Sequence, residues 1–177
     1  MIHFKTIIDT DQKEYHLMEK LLTAAFPKEE YRELAELRAY TVKHPLFHNI
    51  AIYDQENFIG FITYWDFDSF YYIEHFATDT RERNKGYGQQ ILSLLTAQLK
   101  RPIVLEVELP NDEYAKRRIE FYKRNGFVLW EKEYSQPPYR SGEQELPMAL
   151  MVQGSLDSEE DYKDVKEKLY TEVYGVR

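Results

Sequence analysis

The chain has 177 residues, which is the length of one domain able to bury about 70% of its unfolded surface. It contains no cysteine, which excludes a disulfide framework, a thiol nucleophile and a cysteine-ligated metal. Its 31 acidic and 23 basic residues give a net charge of −8, which opposes nonspecific binding to nucleic acids or anionic membranes. The sequence shows neither a signal peptide nor an apolar run of membrane-spanning length, so we expect a cytoplasmic protein.

The first third of the chain predicts a strand, two helices and two strands. Residues 2–8 predict the opening strand, and apolar residues at helical spacing predict a helix that stops at Pro27. A second helix is predicted to end near Pro45, because the residue before a proline disfavours helix. Two strands are predicted at 47–53 and 58–67, with a turn between them.

A strand, a basic glycine loop and a helix follow one another in the middle of the chain. The aromatic and apolar stretch 70–78 predicts the strand, the loop is Arg83-Asn84-Lys85-Gly86-Tyr87-Gly88, and Ile91, Leu94 and Leu95 recur at helical spacing. Glycines let the backbone approach a ligand closely, and free amides at a helix N-terminus favour negative charge. The combination predicts a site for a phosphorylated ligand.

Several kinds of glycine loop are compatible with such a site. A P-loop requires Gly-x4-Gly-Lys-Ser/Thr, which the chain lacks, and the dinucleotide fingerprint requires a third glycine where Ile91 stands. The pattern Arg/Gln-x-x-Gly-x-Gly/Ala of an acyl-coenzyme A pyrophosphate loop remains. A glycine turn that only connects two elements is the simpler alternative.

The remainder of the chain predicts a strand, a helix, two strands and a final helix. Residues 103–108 predict the strand, and Ala115, Ile119 and Tyr122 lie on one face of a helix that ends at Gly126. Closing strands are predicted at 127–134 and 147–152. An apolar stripe from 162 to 173 predicts the C-terminal helix.

The segments 77–88 and 111–127 resemble the two signatures of the GNAT acetyltransferase superfamily. The resemblance implies an α/β fold, with a mixed, mostly antiparallel sheet of about seven strands flanked by helices in residues 1–154. Residues 155–177 would then form an extra helix on the same domain or at a homodimer interface. The implied activity is transfer of acetyl from acetyl-CoA to an amine of a small molecule or peptide, directly in a ternary complex. An acyl-CoA-binding sensor with the same fold is the alternative.

The same resemblance implies which residues bind coenzyme A. An amide of Phe76 or Ala77 would stabilise the oxyanion, the loop amides would hold the pyrophosphate, and Asn111 would contact the pantetheine arm. The alternatives are that Lys85 is a solvated surface charge and that Asn111 is a turn residue at the end of a strand. The predicted coenzyme A contacts are Phe76, Ala77, Thr78, Arg83, Asn84, Lys85, Gly86, Tyr87, Gly88 and Asn111.

Two residues are predicted to be catalytic. The resemblance makes Tyr122 the proton donor to the departing thiolate, although a helix tyrosine can also simply pack. Glu74 is the leading base, because it stands in an apolar strand where burial is expected to raise its pKa. A salt-bridged Glu74 is as compatible with the sequence, and Glu106 or Glu108 are alternative bases.

Strand alternation places Glu74 on the same face as Tyr72 and Phe76, with His75 on the opposite face. The five histidines show no metal-ligand spacing, so no metal is predicted. The acceptor is expected over residues 27–45 and 64–68, which are acidic and aromatic and favour a cationic or amphipathic amine.

Overall fold

The computed structural model describes residues 1–177 and contains one open sheet. Its strands are β1 (Ile2–Ile7), β2 (Phe47–Asp54), β3 (Asn57–Asp66), β4 (Tyr71–Thr78), β5 (Ile103–Glu108), β6 (Val128–Gln136) and β7 (Leu146–Gln153). Their order across the sheet is β1-β2-β3-β4-β5-β7-β6, and only β4 and β5 pair in parallel. The predicted mixed, mostly antiparallel sheet of seven strands is confirmed.

Five helices cover the two faces of the sheet. They are α1 (Lys13–Ala25), α2 (Leu34–Lys43), α3 (Tyr87–Gln98), α4 (Glu113–Arg124) and α5 (Tyr162–Lys168), which continues as a π-helical turn, Leu169–Val173. Helices α1, α2 and α5 bury apolar side chains in one core, and α3 and α4 in the other. No helix combines the length and the apolar character that crossing a membrane requires.

The sheet opens between its two parallel strands. Residues 71–73 of β4 pair with residues 103–105 of β5, and no pair follows beyond them. The remainder of β4 and the end of β5 therefore diverge, which leaves a V-shaped gap near the centre of the sheet.

A β-bulge at Glu74 changes which way the side chains of β4 point. Thr63 pairs with His75 and Tyr64 with Ile73, so Glu74 has no partner on β3. The Glu74 carboxylate accepts a hydrogen bond from Trp65, which belongs to the core on the face of the sheet that α1 covers. The His75 ring lies 4.9 Å from the ring of Phe26, which packs against the same core.

Phe76 belongs to the core beneath α3 and α4. The expectation that Glu74 and Phe76 share a face, with His75 opposite, is therefore wrong. It assumed regular alternation, and the extra residue of the bulge interrupts that alternation.

Candidate active site

The loop before α3 presents unpaired backbone amides. Asn84 and Gly86 have left-handed φ angles of 63° and 76°, which turn the chain sharply into the helix. The first helical hydrogen bond runs from the Gln90 amide to the Gly86 carbonyl, so the amides of residues 84–89 donate to no carbonyl. Helix α3 has no side-chain cap and no acidic residue in its first turn. These amides and the helix dipole together favour an anion.

Neighbouring elements hold this loop in place. The Tyr87 hydroxyl donates to Oδ2 of Asp54 on β2 at 2.8 Å. On the other side, a Cβ at Gly88 would lie 3.1 Å from the Phe121 ring, so glycine permits the close approach of α3 to α4. The positions of the free amides are thus set by packing on both sides.

A cavity of about 510 Å³ lies between this loop, the end of β4 and helix α4, and we call it the donor cavity. Its lining includes nine residues predicted from the sequence: Phe76, Ala77, Thr78, Arg83, Asn84, Gly86, Tyr87, Gly88 and Tyr122.

Two predicted contact residues lie outside the donor cavity. Lys85 is exposed and its Nζ lies 2.7 Å from Oε2 of Glu82, so its side chain is the solvated charge of the alternative interpretation. Asn111 is exposed beyond β5, and its amide donates to the Leu109 carbonyl at 2.7 Å, as in a turn. Neither residue lines the cavity, and the Lys85 ammonium is paired with Glu82 instead.

The Tyr122 side chain is buried but its hydroxyl has no hydrogen-bond partner in the protein. The ring packs against Phe121 and Phe127 at centroid distances of 5.3 and 5.5 Å, and the residue is 3% exposed. These contacts fix the ring on the wall of the donor cavity. The hydroxyl is therefore available to donate to a bound molecule.

One amide of β4 faces the gap in the sheet. The Asp79 amide donates to the Ile59 carbonyl at 2.9 Å, and this bond determines which amides of β4 point to β3. Because the hydrogen bonds alternate in an antiparallel pair, the amides of His75 and Ala77 point to β3 and that of Phe76 points to the gap. Of the two predicted amides, that of Phe76 is therefore the one that the β3–β4 hydrogen bonds leave free.

A second cavity of about 270 Å³ occupies the gap itself, and we call it the acceptor cavity. Ala25, Phe26, Tyr114 and Arg118 line both cavities, so the two are adjacent. Its charged and polar lining consists of Glu30, Glu74, His75, Glu106, Glu108, Tyr114, Arg118, Gln136 and Tyr139. The predicted acceptor region 27–45 contributes to this lining, whereas 64–68 does not. No group of three or more His, Asp or Glu side chains is arranged to hold a metal ion.

Glu74 is engaged in a buried ion pair. Its Oε1 lies 2.5 Å from Nη2 of Arg32 and accepts from the Tyr139 hydroxyl at 2.8 Å, while Oε2 accepts from Nε1 of Trp65 at 2.9 Å. Burial acts to raise the pKa of Glu74, but the charge of Arg32 and these hydrogen bonds outweigh it and lower the pKa below its usual value. The expected rise in pKa is therefore wrong, and Arg32 holds the carboxylate as a buried, paired anion.

Glu106 lies in a different environment, among tyrosines. Its carboxylate accepts hydrogen bonds from the hydroxyl of Tyr134 at 2.5 Å and from that of Tyr174 at 2.8 Å. The Tyr174 hydroxyl also lies 3.2 Å from the Tyr72 hydroxyl. Burial raises the pKa of Glu106 to about 7, despite the opposing effect of these hydrogen bonds. Glu106 can thus gain and lose a proton near neutral pH.

Glu30 is the other carboxylate of the acceptor cavity that titrates near neutrality. Burial, together with the negative charge of Glu108, raises its pKa to about 7. His75 lies beside it, with Nε2 2.8 Å from the Glu30 carbonyl oxygen and Nδ1 3.4 Å from Oγ1 of Thr63. Burial lowers the pKa of His75, so the imidazole is neutral and its two nitrogens are occupied by the protein.

Four residues of the acceptor side escaped the sequence analysis: Arg32, Gln136, Tyr139 and Tyr174. Arg32 and Tyr139 are 42 and 65 residues from Glu74, and Tyr174 is 68 residues from Glu106. No short motif joins them to the site. An aromatic residue in the Pro-rich loop after β6 was the only local signal, at Tyr139.

Comparisons with known proteins agree with this geometry. The model of the acetyltransferase (GNAT) family matches residues 12–127, and no curated protein matches the chain. A solved structure from Bacteroides thetaiotaomicron, assigned to the GNAT acetyltransferase family, is 58% identical, with a TM-score of 0.96 and 99% of each chain covered.

More distant structures share the fold. The ribosomal-protein-S18-alanine N-acetyltransferase of Escherichia coli is 18% identical with a TM-score of 0.61, over 90% of this chain and 98% of its own. A Bacillus subtilis acetyltransferase in complex with CoA is 13% identical with a TM-score of 0.59, over 88% and 100%. Because the family model spans most of the chain and the first structure matches almost all of it, the chain belongs to the GNAT acetyltransferase family.

Proposed function

We propose that the protein transfers an acetyl group from acetyl-CoA to a primary amine of a small molecule or peptide, by direct attack in a ternary complex. The observation that carries this proposal is the meeting of two unlike cavities at the gap between β4 and β5. One presents unpaired amides to an anion, and the other presents carboxylates to a cation. Membership of the GNAT acetyltransferase family supports the same reaction.

The donor cavity fits coenzyme A through its own backbone. The free amides of residues 84–89 would hold the pyrophosphate, and Arg83 on the cavity wall would add a positive charge. The complex of the Bacillus subtilis acetyltransferase with CoA supports this assignment. When bound, acetyl-CoA supplies an electrophilic thioester carbonyl and a thiolate leaving group.

The acceptor cavity suits a protonated amine. An alkyl amine with a pKa of about 10.4 is mostly charged at neutral pH, and the surrounding carboxylates attract it. We assign the base to Glu106, because its pKa of about 7 allows it to take a proton from the amine, directly or through a water. Glu74 is not proposed as the base, since Arg32 holds it as a paired anion.

The reaction then involves three protein groups. The amine loses a proton to Glu106 and forms the new C–N bond, while the Phe76 amide stabilises the negative charge on the carbonyl oxygen. As the C–S bond breaks, the Tyr122 hydroxyl donates its proton to the sulfur. The nitrogen loses its second proton as the amide forms, and that proton passes through water to the Tyr122 phenolate, so the products are the amide, the free thiol and a protonated Glu106. No covalent intermediate with the protein is required.

An acceptor panel tests the proposal. Purified protein with acetyl-CoA is given a polyamine, an aminoglycoside and a short peptide with a free N-terminus, and free thiol is measured beside a binding titration with acetyl-CoA. We expect thiol release with at least one amine. Binding of acetyl-CoA without any turnover would instead support the sensor that has the fold but not the activity.

The variant Tyr122→Phe tests the proton donor. We expect kcat to fall about 100-fold, the low end of the range for general acid–base catalysis, because a thiolate can also leave unprotonated. The dissociation constant for acetyl-CoA is expected to stay within about twofold, since the ring still packs between Phe121 and Phe127. Full kcat across the pH range in the variant would remove the acid role.

A further inference from the structure

Gln136 carries an unpaired carboxamide on the wall of the acceptor cavity. The residue ends β6, is 4% exposed and lines the cavity, and its Nε2 is buried without any hydrogen-bond partner. Buried amide groups in proteins are almost always hydrogen-bonded, and an exception requires an explanation. A ligand in the cavity would supply the missing partner.

The carboxamide lies on the same face of the sheet as the proposed base. Gln136 and Tyr134 are two residues apart on β6, so their side chains share a face, and the Tyr134 hydroxyl donates to Glu106. Both Gln136 and Glu106 line the acceptor cavity. A molecule that places its amine at Glu106 can therefore extend through the same cavity towards Gln136.

The chemistry of this pair distinguishes among amines. A carboxamide offers N–H donors and one acceptor, and it is neutral. A second ammonium group, as in a polyamine, carries only donors and would leave the Nε2 hydrogens unpaired. A peptide unit offers both a carbonyl oxygen and an N–H, so it can pair with both ends of the Gln136 carboxamide.

We propose that Gln136 recognises a peptide-type amide next to the reacting amine, so that the acceptor is the N-terminal amine of a peptide. This inference rests on the proposed acetyl transfer and names the substrate of the same site. At about 270 Å³ the cavity is smaller than the 300–1,000 Å³ typical of sites for whole small-molecule ligands. It accommodates the end of a chain while the rest remains outside.

The test compares alanyl-alanine amide with 1,4-diaminobutane in the wild type and in Gln136→Met, which keeps an unbranched side chain without hydrogen bonds. We expect the wild type to favour the dipeptide amide in kcat/KM. The ratio of kcat/KM for dipeptide amide over diamine is expected to fall roughly 10- to 100-fold in the variant, because the peptide unit loses its partner. The exposed Gln98→Met is the matched control, with an unchanged ratio.

Thermal stability separates recognition from a structural role. Gln136→Met removes an unpartnered polar atom from the interior, so its melting temperature is expected to equal or exceed that of the wild type. A wild type that prefers the diamine, or a ratio that Gln136→Met leaves unchanged, would overturn the inference.

A binding measurement tests the role of Gln136 even if the protein does not acetylate these amines. Thiol release with neither acceptor would contradict the proposed activity on these amines. The dipeptide amide is therefore also added to protein saturated with coenzyme A. A rise in melting temperature in the wild type but not in Gln136→Met supports the inference, and equal shifts in both proteins contradict it.

Discussion

Replacing Arg32 with methionine is expected to lower the free energy of unfolding by about 3–5 kcal/mol, because it leaves a buried carboxylate without its counter-charge. The side chains of Arg32 and Glu74 are 2% and 1% exposed. The guanidinium carbon also lies 4.5 Å from the ring centroid of Tyr40 and 5.2 Å from that of Tyr139, so packing is lost with the charge. Urea denaturation of both proteins measures the difference.

Two controls define the origin of this loss. Arg38→Met removes an exposed pair with Glu19 and is expected to have a much smaller effect. Adding Glu74→Leu to Arg32→Met removes the stranded charge and is expected to restore part of the stability. Equal losses in Arg32→Met and Arg38→Met would show that the buried pair has no special role.

The pH dependence of this loss has a definite sign. Since the pKa of Glu74 is lowered in the folded protein, the stabilisation from the pair is present above its usual value of 4.5 and is lost as the pH falls through the folded pKa. The difference between wild type and Arg32→Met is therefore expected to shrink in acid.

Glu106→Gln is expected to reduce kcat by about 1,000-fold, because the amide cannot take the amine proton. With a pKa of about 7, Glu106 becomes a competent base as the pH rises through 7, so the wild-type rate rises there. The variant is expected to lack that limb of the pH–rate profile. Glu30→Gln is the matched control, because the pKa of Glu30 is also raised to about 7. If the rise in rate near pH 7 persisted in Glu106→Gln and disappeared in Glu30→Gln, the base would be Glu30 and not Glu106.

Stability provides an independent check on the same variant. The folded pKa of Glu106 is raised, so the stability linked to its proton is present below about 4.5 and is lost as the pH rises through about 7. Above pH 7 the ionised carboxylate weakens the fold relative to a neutral glutamine. We therefore expect Glu106→Gln to unfold no more readily than wild type at pH 8, so that its loss of activity is not a loss of folding.

The donor side of the site was predictable because its information is local. A strand, a glycine loop and a helix start stand within about twenty consecutive residues. Gly86 adopts the left-handed φ that the loop requires, and Gly88 permits the close approach of α3 to α4. Nine of the 17 residues that line the donor cavity are predicted from that short segment and from Tyr122 one helix later, whereas others, such as Phe26 and Arg118, are added by the packing of α1 and α4.

The acceptor side was not predictable because its contacts are long-range. Regular alternation along β4 gave the wrong faces for His75 and Phe76, since nothing in the local sequence marks the bulge at Glu74. The pKa of Glu74 depends on Arg32, and that of Glu106 on burial and on tyrosines from β6 and the C-terminal segment. Such partners are brought together only by the packed fold.

The gap between β4 and β5 also bears on how the backbone exchanges its hydrogens with solvent. Central strands normally contain the amides that exchange most slowly, because they open only on global unfolding. Here the Phe76 amide, which points to the gap, is expected to exchange much faster than that of Ala77, which points to β3. Deuterium uptake resolved to single residues would thus show a fast position at the centre of the sheet, and slowing of that position alone would report a carbonyl bound against it.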